Sequence, residues 1–357
     1  MRLLTQHYPE LNEKIPWMEI GNYPTPVQKL GKLGNFLGHE ALYVKREDLC
    51  SKTYGGNKIR KFENVLAHAK SIGAKTLVTV GGTGSNHCLA TAIYGKPLGF
   101  DVITCIFDQP FTKHCEDVLK LLCHYGAEIH YTRSYAKTVT HVIGLLTKLS
   151  REGKAPYFIY SGASTPMGTV GTVEAVLELK RQIEEKLLPE PDFLFVPAGS
   201  GGTFAGLSLG VKLFGLKTKV VGARVVPAIA CNRVFVSALA KKTYHLLKKN
   251  CARFPEVALR VQDFFLVHDY FGGAYGTVTK ESHSAAENMK TLEGIPCEGV
   301  YTGKTLAALM DYAKKHKDKT FLYWHTHNSV SFEPILSQPV LLDALPEPLR
   351  RLFPFSV

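Results

Sequence analysis

The sequence predicts an α/β fold of two domains with helix-flanked, mostly parallel sheets. Short β-branched or aromatic runs alternate with longer stretches of helical apolar spacing, the pattern of strands joined by crossover helices. Glycine-rich or polar loops follow several of these runs directly, as turns into the next helix do. The length of 357 residues fits two domains at about 100–200 residues each.

Taken in order, residues 41–45 read as a strand. Residues 58–70 read as a helix with Ile59, Phe62, Val65, Leu66 and Ala69 on its apolar side. A strand at 76–80 ends in Gly81-Gly82, and a helix is predicted over 87–94. Strand 101–107, helix 114–125 and strand 128–131 follow. The second half repeats the rhythm: helix 168–186, strand 193–197, helix 204–213, strand 219–225, then helix 305–316 and strand 320–324. There is no tandem repeat and no low-complexity linker.

Composition narrows the function. Hydrophobic residues make up 45% and charged residues 21%, enough for an ordinary packed core. No apolar run approaches the roughly 20 residues of a membrane helix, and the first residues lack the apolar stretch of a secretory signal. A cytoplasmic protein without a membrane partner is expected. The net charge is +12, but the basic residues are dispersed and no zinc-finger or helix-turn-helix signature is present. No nucleic-acid partner is therefore expected. The eight cysteines form no CxxC pair, so they read as reduced, core-filling thiols and no metal is expected.

In open parallel sheets, sites lie beyond the carboxyl ends of strands. Three loops occupy such places: residues 81–87, 199–203 and 325–329. In the second, Gly199-Ser200-Gly201-Gly202-Thr203 runs from a strand into a helix. Glycines admit close approach of an anion, and the helix start offers free N–H groups. No Gly-Lys-Ser/Thr follows, so this is a compact phosphate cup rather than a P-loop, or else a tight turn. The segment Gly55-Gly56-Asn57-Lys58-Ile59-Arg60-Lys61 sets a lysine at a helix start. The positive helix end and the ammonium of Lys61 one turn on both favour the neutral lysine that imine chemistry needs. In Gly84-Ser85-Asn86-His87, Ser85 or Asn86 serves equally as a helix cap or as a carboxylate- and phenolate-binding group.

Together, GGNKIRK, GSNH, PAGSGGTFAG and VYTGKTL occur in the order seen in fold-type II pyridoxal phosphate (PLP) enzymes. From Pro24 to Thr326 the chain most resembles the group containing 1-aminocyclopropane-1-carboxylate (ACC) deaminase and D-cysteine desulfhydrase. The resemblance implies PLP held through Lys58, with Lys61 and the loop Gly199, Ser200, Gly201, Gly202 and Thr203 on its phosphate. It implies Asn86 on the cofactor's 3-oxygen and Thr326 at the pyridine nitrogen. Ser85, Asn86, His87, Tyr301, Thr302 and His327 would line the substrate, a small amino acid, with Lys58, Ser85 and Tyr301 catalytic. It also implies a homodimer, a large domain of residues 1–54 and 167–357, and a small inserted domain of residues 55–166.

Within that group, ACC deaminases carry a glutamate after the tyrosine, where this chain has Thr302. That favours D-cysteine desulfhydrase chemistry, a carbon–sulfur lyase reaction. Other loops depart from the group's pattern. Gly84 precedes Ser-Asn-His where glutamine is usual, and Cys88-Leu89 follow. His325-Thr326-His327-Asn328 stands where His-Thr-Gly-Gly is usual. These departures keep open ACC deamination, hydroxy-amino-acid dehydration or racemisation, and a non-catalytic PLP-binding regulator.

Overall fold

The computed structural model describes residues 2–338 and 342–353. Its ten strands are β1 (Val27–Lys29), β2 (Leu42–Arg46), β3 (Thr76–Gly82), β4 (Asp101–Phe107), β5 (Glu128–Arg133), β6 (Pro156–Ile159), β7 (Phe193–Ala198), β8 (Lys219–Arg224), β9 (Phe265–Val267) and β10 (Phe321–His325). They form a six-stranded sheet of order β1-β2-β10-β7-β8-β9 and a four-stranded sheet of order β5-β4-β3-β6. Every pairing is parallel except β1 with β2.

The described residues divide into two compact units: one from residues up to Val65 plus Ser164–Ser329, the other from Leu66–Ala163 plus the residues from Val330 on. The expected small domain was residues 55–166. The difference has packing causes. The first turns of the helix Lys58–Ser71 are tied to the larger unit, where Arg60 binds Glu47 and Glu178. Beyond Val330, the helix Glu333–Leu336 packs on the helix Lys113–His124 of the smaller unit.

In the larger unit, β7 lies between β10 and β8, and its residues from Leu194 to Ala198 are all buried. A strand covered on both faces needs such an unbroken apolar run. The helix Pro166–Glu184 starts two residues before the expected point, because Thr165 caps it through the N–H of Gly168 and Pro166 occupies its first turn. Its far face buries Glu178 in a charged cluster. Arg60 reaches Glu47 at 2.6 and 2.8 Å and Glu178 at 3.0 Å. Lys45 donates to Glu178, to the side-chain amide oxygen of Gln182 and to the Thr25 backbone carbonyl.

In the smaller unit, the helix Tyr135–Arg151 lays Val142, Leu145 and Leu149 over Val78, Val80, Ile103 and Cys105 of β3 and β4. No described helix is long and apolar enough to cross a membrane.

Candidate active site

The larger unit holds Lys58, Lys61, the 199–203 loop, Tyr301, Thr302, Thr326 and His327. The helix Gly202–Leu213 springs from the end of β7 through Gly201, whose φ of +80° turns the chain. At this turn Ser164 Oγ lies 2.7 Å from Ser200 Oγ, accepts the Gly202 N–H at 3.1 Å, and sits 3.4 Å from Lys61 Nζ. A Cβ on Gly202 would press on Ser164 Oγ and come within 2.9 Å of Lys61 Nζ. Two hydroxyls, a helix-start N–H and a lysine thus converge where only glycine leaves room, an arrangement that suits an anion. Ser164 was not among the residues expected at the phosphate. The Asn57 side chain donates to Thr203 Oγ1 at 2.6 Å, fixing the helix start against the segment before Lys58.

Desolvation lowers the Lys58 pKa to about 8 against the pull of Glu298. Lys61 is 2% exposed, and burial together with the charge of Lys58 lowers its pKa to about 7. Both lysines therefore reach their neutral forms near physiological pH. The cause differs from the one read in the sequence: loss of water dominates, and the mutual repulsion acts on Lys61.

The chain before Lys58 is held by the loop after β10. Gly55 N–H donates to Asn328 Oδ1 at 2.7 Å, and Asn57 N–H to the Thr326 carbonyl at 3.4 Å. Gly56 has φ +98°, and a Cβ there would lie 2.7 Å from the Thr326 carbonyl oxygen.

Tyr301 stands at the start of the helix Thr302–Lys315. Its hydroxyl donates to Tyr275 Oη at 2.9 Å, and burial raises its pKa, as does Tyr275 beside it. A Cβ on Gly199 would approach the Tyr301 ring to 2.9 Å, so the ring borders the 199–203 loop. Glu298 accepts the N–H groups of Val300, Tyr301 and Thr302 at 2.7, 2.8 and 2.7 Å. Burial would raise its pKa, but the charge of His327 and these backbone donors hold it below the usual carboxylate value. Thr302 is buried; its hydroxyl accepts the Glu298 N–H and lies 3.0 Å from that carboxylate. His325, at the end of β10, is buried, and desolvation lowers its pKa to about 4.

Ser85, Asn86 and His87 lie in the smaller unit, after β3. Ser85 caps the helix Asn86–Gly95 by accepting the Cys88 N–H at 3.3 Å. His87 is buried, with Nε2 2.9 Å from Thr79 Oγ1.

Sequence reading missed Glu298 and Tyr275. An acidic residue just ahead of a helix start is a recognisable cap signal for Glu298. Tyr275 sits in an irregular glycine-bearing stretch between β9 and the helix Lys280–Glu293, where no periodicity points to it.

A strand-end anion cup, a buried lysine pair at a helix start and a tyrosine bordering the cup stand together on a mostly parallel α/β scaffold, an arrangement suited to a ligand that carries both an anion and a carbonyl. The family model described as "Pyridoxal-phosphate dependent enzyme" matches residues 18–327, and the chain belongs to that family. Within it, the chain falls in the ACC deaminase and D-cysteine desulfhydrase group of PLP-dependent lyases. It is 32% identical to a D-cysteine desulfhydrase of Klebsiella pneumoniae over 321 residues, covering 88% of this chain and 94% of that protein. It is 34% identical over 314 residues to a Pyrococcus horikoshii protein provisionally named 1-aminocyclopropane-1-carboxylate deaminase, covering 88% and 92%. The crystal structure of an ACC deaminase homologue aligns with TM-score 0.78 at 32% identity, covering 92% of this chain and 97% of that one. Serine racemase from Dictyostelium discoideum aligns with TM-score 0.58 at 20% identity, which shows a shared fold.

Proposed function

We propose that this enzyme is a carbon–sulfur lyase acting on D-cysteine or a related small amino acid with a β leaving group. The products are H₂S, pyruvate and ammonia. The observation that carries this reading is Thr302: the position after the tyrosine holds a buried hydroxyl engaged with Glu298 instead of the glutamate of ACC deaminases.

The residues present fit PLP. The hydroxyls of Ser164 and Ser200, the Gly202 N–H and Lys61 suit the four-oxygen phosphate, in a place a Cβ would fill. Gly199, Gly201 and Thr203 complete that loop. Lys58 would supply the amine to which the cofactor attaches, Thr326 would serve its pyridine nitrogen, and Asn86 would serve its 3-oxygen. When bound, PLP supplies an electron sink for charge that develops at the substrate's α-carbon.

The chain's own residues handle protons and orientation. Lys58 would take the α-proton at Nζ; a pKa of about 8 suits a base working near neutrality. Tyr301 keeps its proton, because burial raises its pKa, and offers it at Oη as a hydrogen bond to the departing sulfur. Ser85 binds the substrate carboxylate, while His87, Thr302 and His327 shape the surrounding space. The same reading extends to a cytoplasmic homodimer, which light scattering and cell fractionation test.

Purified enzyme given D-cysteine should release H₂S and pyruvate in equal amounts. Release of 2-oxobutanoate from ACC, with no H₂S from D-cysteine, would overturn the assignment.

A further inference from the structure

The smaller unit carries a side-chain cluster that the lyase reaction does not use. Cys105 on β4 and His130 on β5 are directly paired in register, so they project from the same face of the sheet. The helix Tyr135–Arg151 covers that face and brings His141 beside them. The potential ligand atoms of the three residues all lie within 4.8 Å of one another. His130 Nδ1 lies 2.7 Å from His141 Nε2, and His130 Nε2 lies 2.6 Å from Glu128 Oε1.

We propose that Cys105, His130 and His141 form a binding site for a divalent transition metal of the zinc class, oriented by Glu128. The protonation pattern supports this. The Glu128 carboxylate accepts the Nε2–H of His130, which leaves the lone pair on Nδ1 facing His141. A carboxylate behind a metal-binding histidine is the usual arrangement, because it fixes the tautomer and raises ligand basicity. Without metal, the Nδ1 lone pair accepts the His141 Nε2–H; with metal, both nitrogens coordinate and that hydrogen bond is lost. Tetrahedral Zn–N bonds of about 2.0–2.1 Å would part the two nitrogens by about half an ångström more. His141 is exposed, on the covering helix, so its ring can make that movement.

Cys105 adds the soft ligand that selects zinc over magnesium or calcium. Burial pushes its thiol pKa up to about 12, so it binds only by giving its proton up to the metal. His141 also lines an open depression with Tyr131, Thr132, Arg133, Lys137 and Thr140, which gives an ion entry from solvent. Three protein ligands leave a fourth position for water. Such an ion would clasp β4, β5 and the covering helix together. The spacing hid this set from sequence reading: the three ligands lie far apart in the chain and form no short motif, and no metal was expected.

The experiment uses untagged holoenzyme, stripped with a chelator, exposed to zinc sulfate and desalted. Bound zinc is counted by atomic spectroscopy and Tm is measured with and without the metal. The expected result is one zinc per chain and a higher Tm. His141→Ala, at an exposed position, should lose the zinc and the Tm rise while cofactor absorbance and turnover stay unchanged. Glu128→Gln should weaken binding about 10- to 100-fold. With cobalt(II), a thiolate charge-transfer band should appear and vanish in Cys105→Ser. No retained zinc, or equal zinc in His141→Ala, overturns the proposal.

Discussion

The helix that begins at Lys58 carries two kinds of buried cation within four residues. Arg60 is met by Glu47 and Glu178, in a cluster that also takes in Lys45. Desolvation works against the Arg60 charge, but the two carboxylates outweigh it and raise its pKa. Lys58 and Lys61 stand in the opposite situation. Burial lowers both, and for Lys61 the charge of Lys58 lowers it further. Arg60 is compensated within the fold, whereas the lysine pair is set against its own charge and reaches neutrality near pH 7–8. A paired buried ion serves the architecture; a buried cation held near its neutral form is suited to an incoming anion or carbonyl.

The sharpest test of that contrast is Lys58→Ala. Turnover with D-cysteine should disappear along with the visible absorbance of the lysine-linked cofactor, while the chain stays folded by circular dichroism. An unchanged absorbance band would remove Lys58 from its assigned role. Arg60→Ala should instead cost about 3–5 kcal/mol of stability, because Glu47 and Glu178 lose their guanidinium partner. Urea unfolding measures this, and a comparable loss in Lys61→Met would erase the distinction between the two sets. Lys61→Met should weaken PLP binding about 10- to 100-fold, in line with about 1.5–3 kcal/mol for a hydrogen bond to a charged group. Titration of cofactor-free protein with PLP reads it directly.

The smallest effect is a pH trend. In cofactor-free protein, Lys58 and Lys61 titrate near 8 and 7, against 10.5 for an unperturbed lysine. Below those values the fold must hold both charges away from water. Between them and about 10.5 the unfolded chain binds more protons than the fold, so these two groups make stability rise with pH. Urea midpoints measured from pH 7 to 9 should show a smaller rise in Lys61→Met than in the unchanged chain.

Most of the scaffold was legible because its strands are buried on both faces. Phe193–Ala198 reads as an unbroken apolar run and Asp101–Phe107 as a mostly apolar one, and the structure places strands there within a residue of the expected bounds. The short β1, β6 and β9 were not legible: at three or four residues, Val27–Lys29, Pro156–Ile159 and Phe265–Val267 are too brief to establish a period. Lys58, Lys61 and the 199–203 loop stood out because glycines and lysines crowd the ends of elements there. Ser164 and Tyr275 did not, since each depends on a partner distant in the chain: Ser200 for one, Tyr301 for the other. Ser85 was readable as either a cap or a site group, and the structure shows its hydroxyl capping the helix.

The tether between Asn328 and the Gly55 N–H bears on any attempt to redesign substrate preference. Residues 327 and 328 replace the two glycines usual at that point, which invites swapping glycine back in. Asn328, however, also braces the backbone three residues ahead of Lys58. Restoring glycine at 328 would remove the side chain and this brace in a single edit. A redesign at position 328 therefore has to keep an acceptor for the Gly55 N–H, or lost turnover will say nothing about substrate choice.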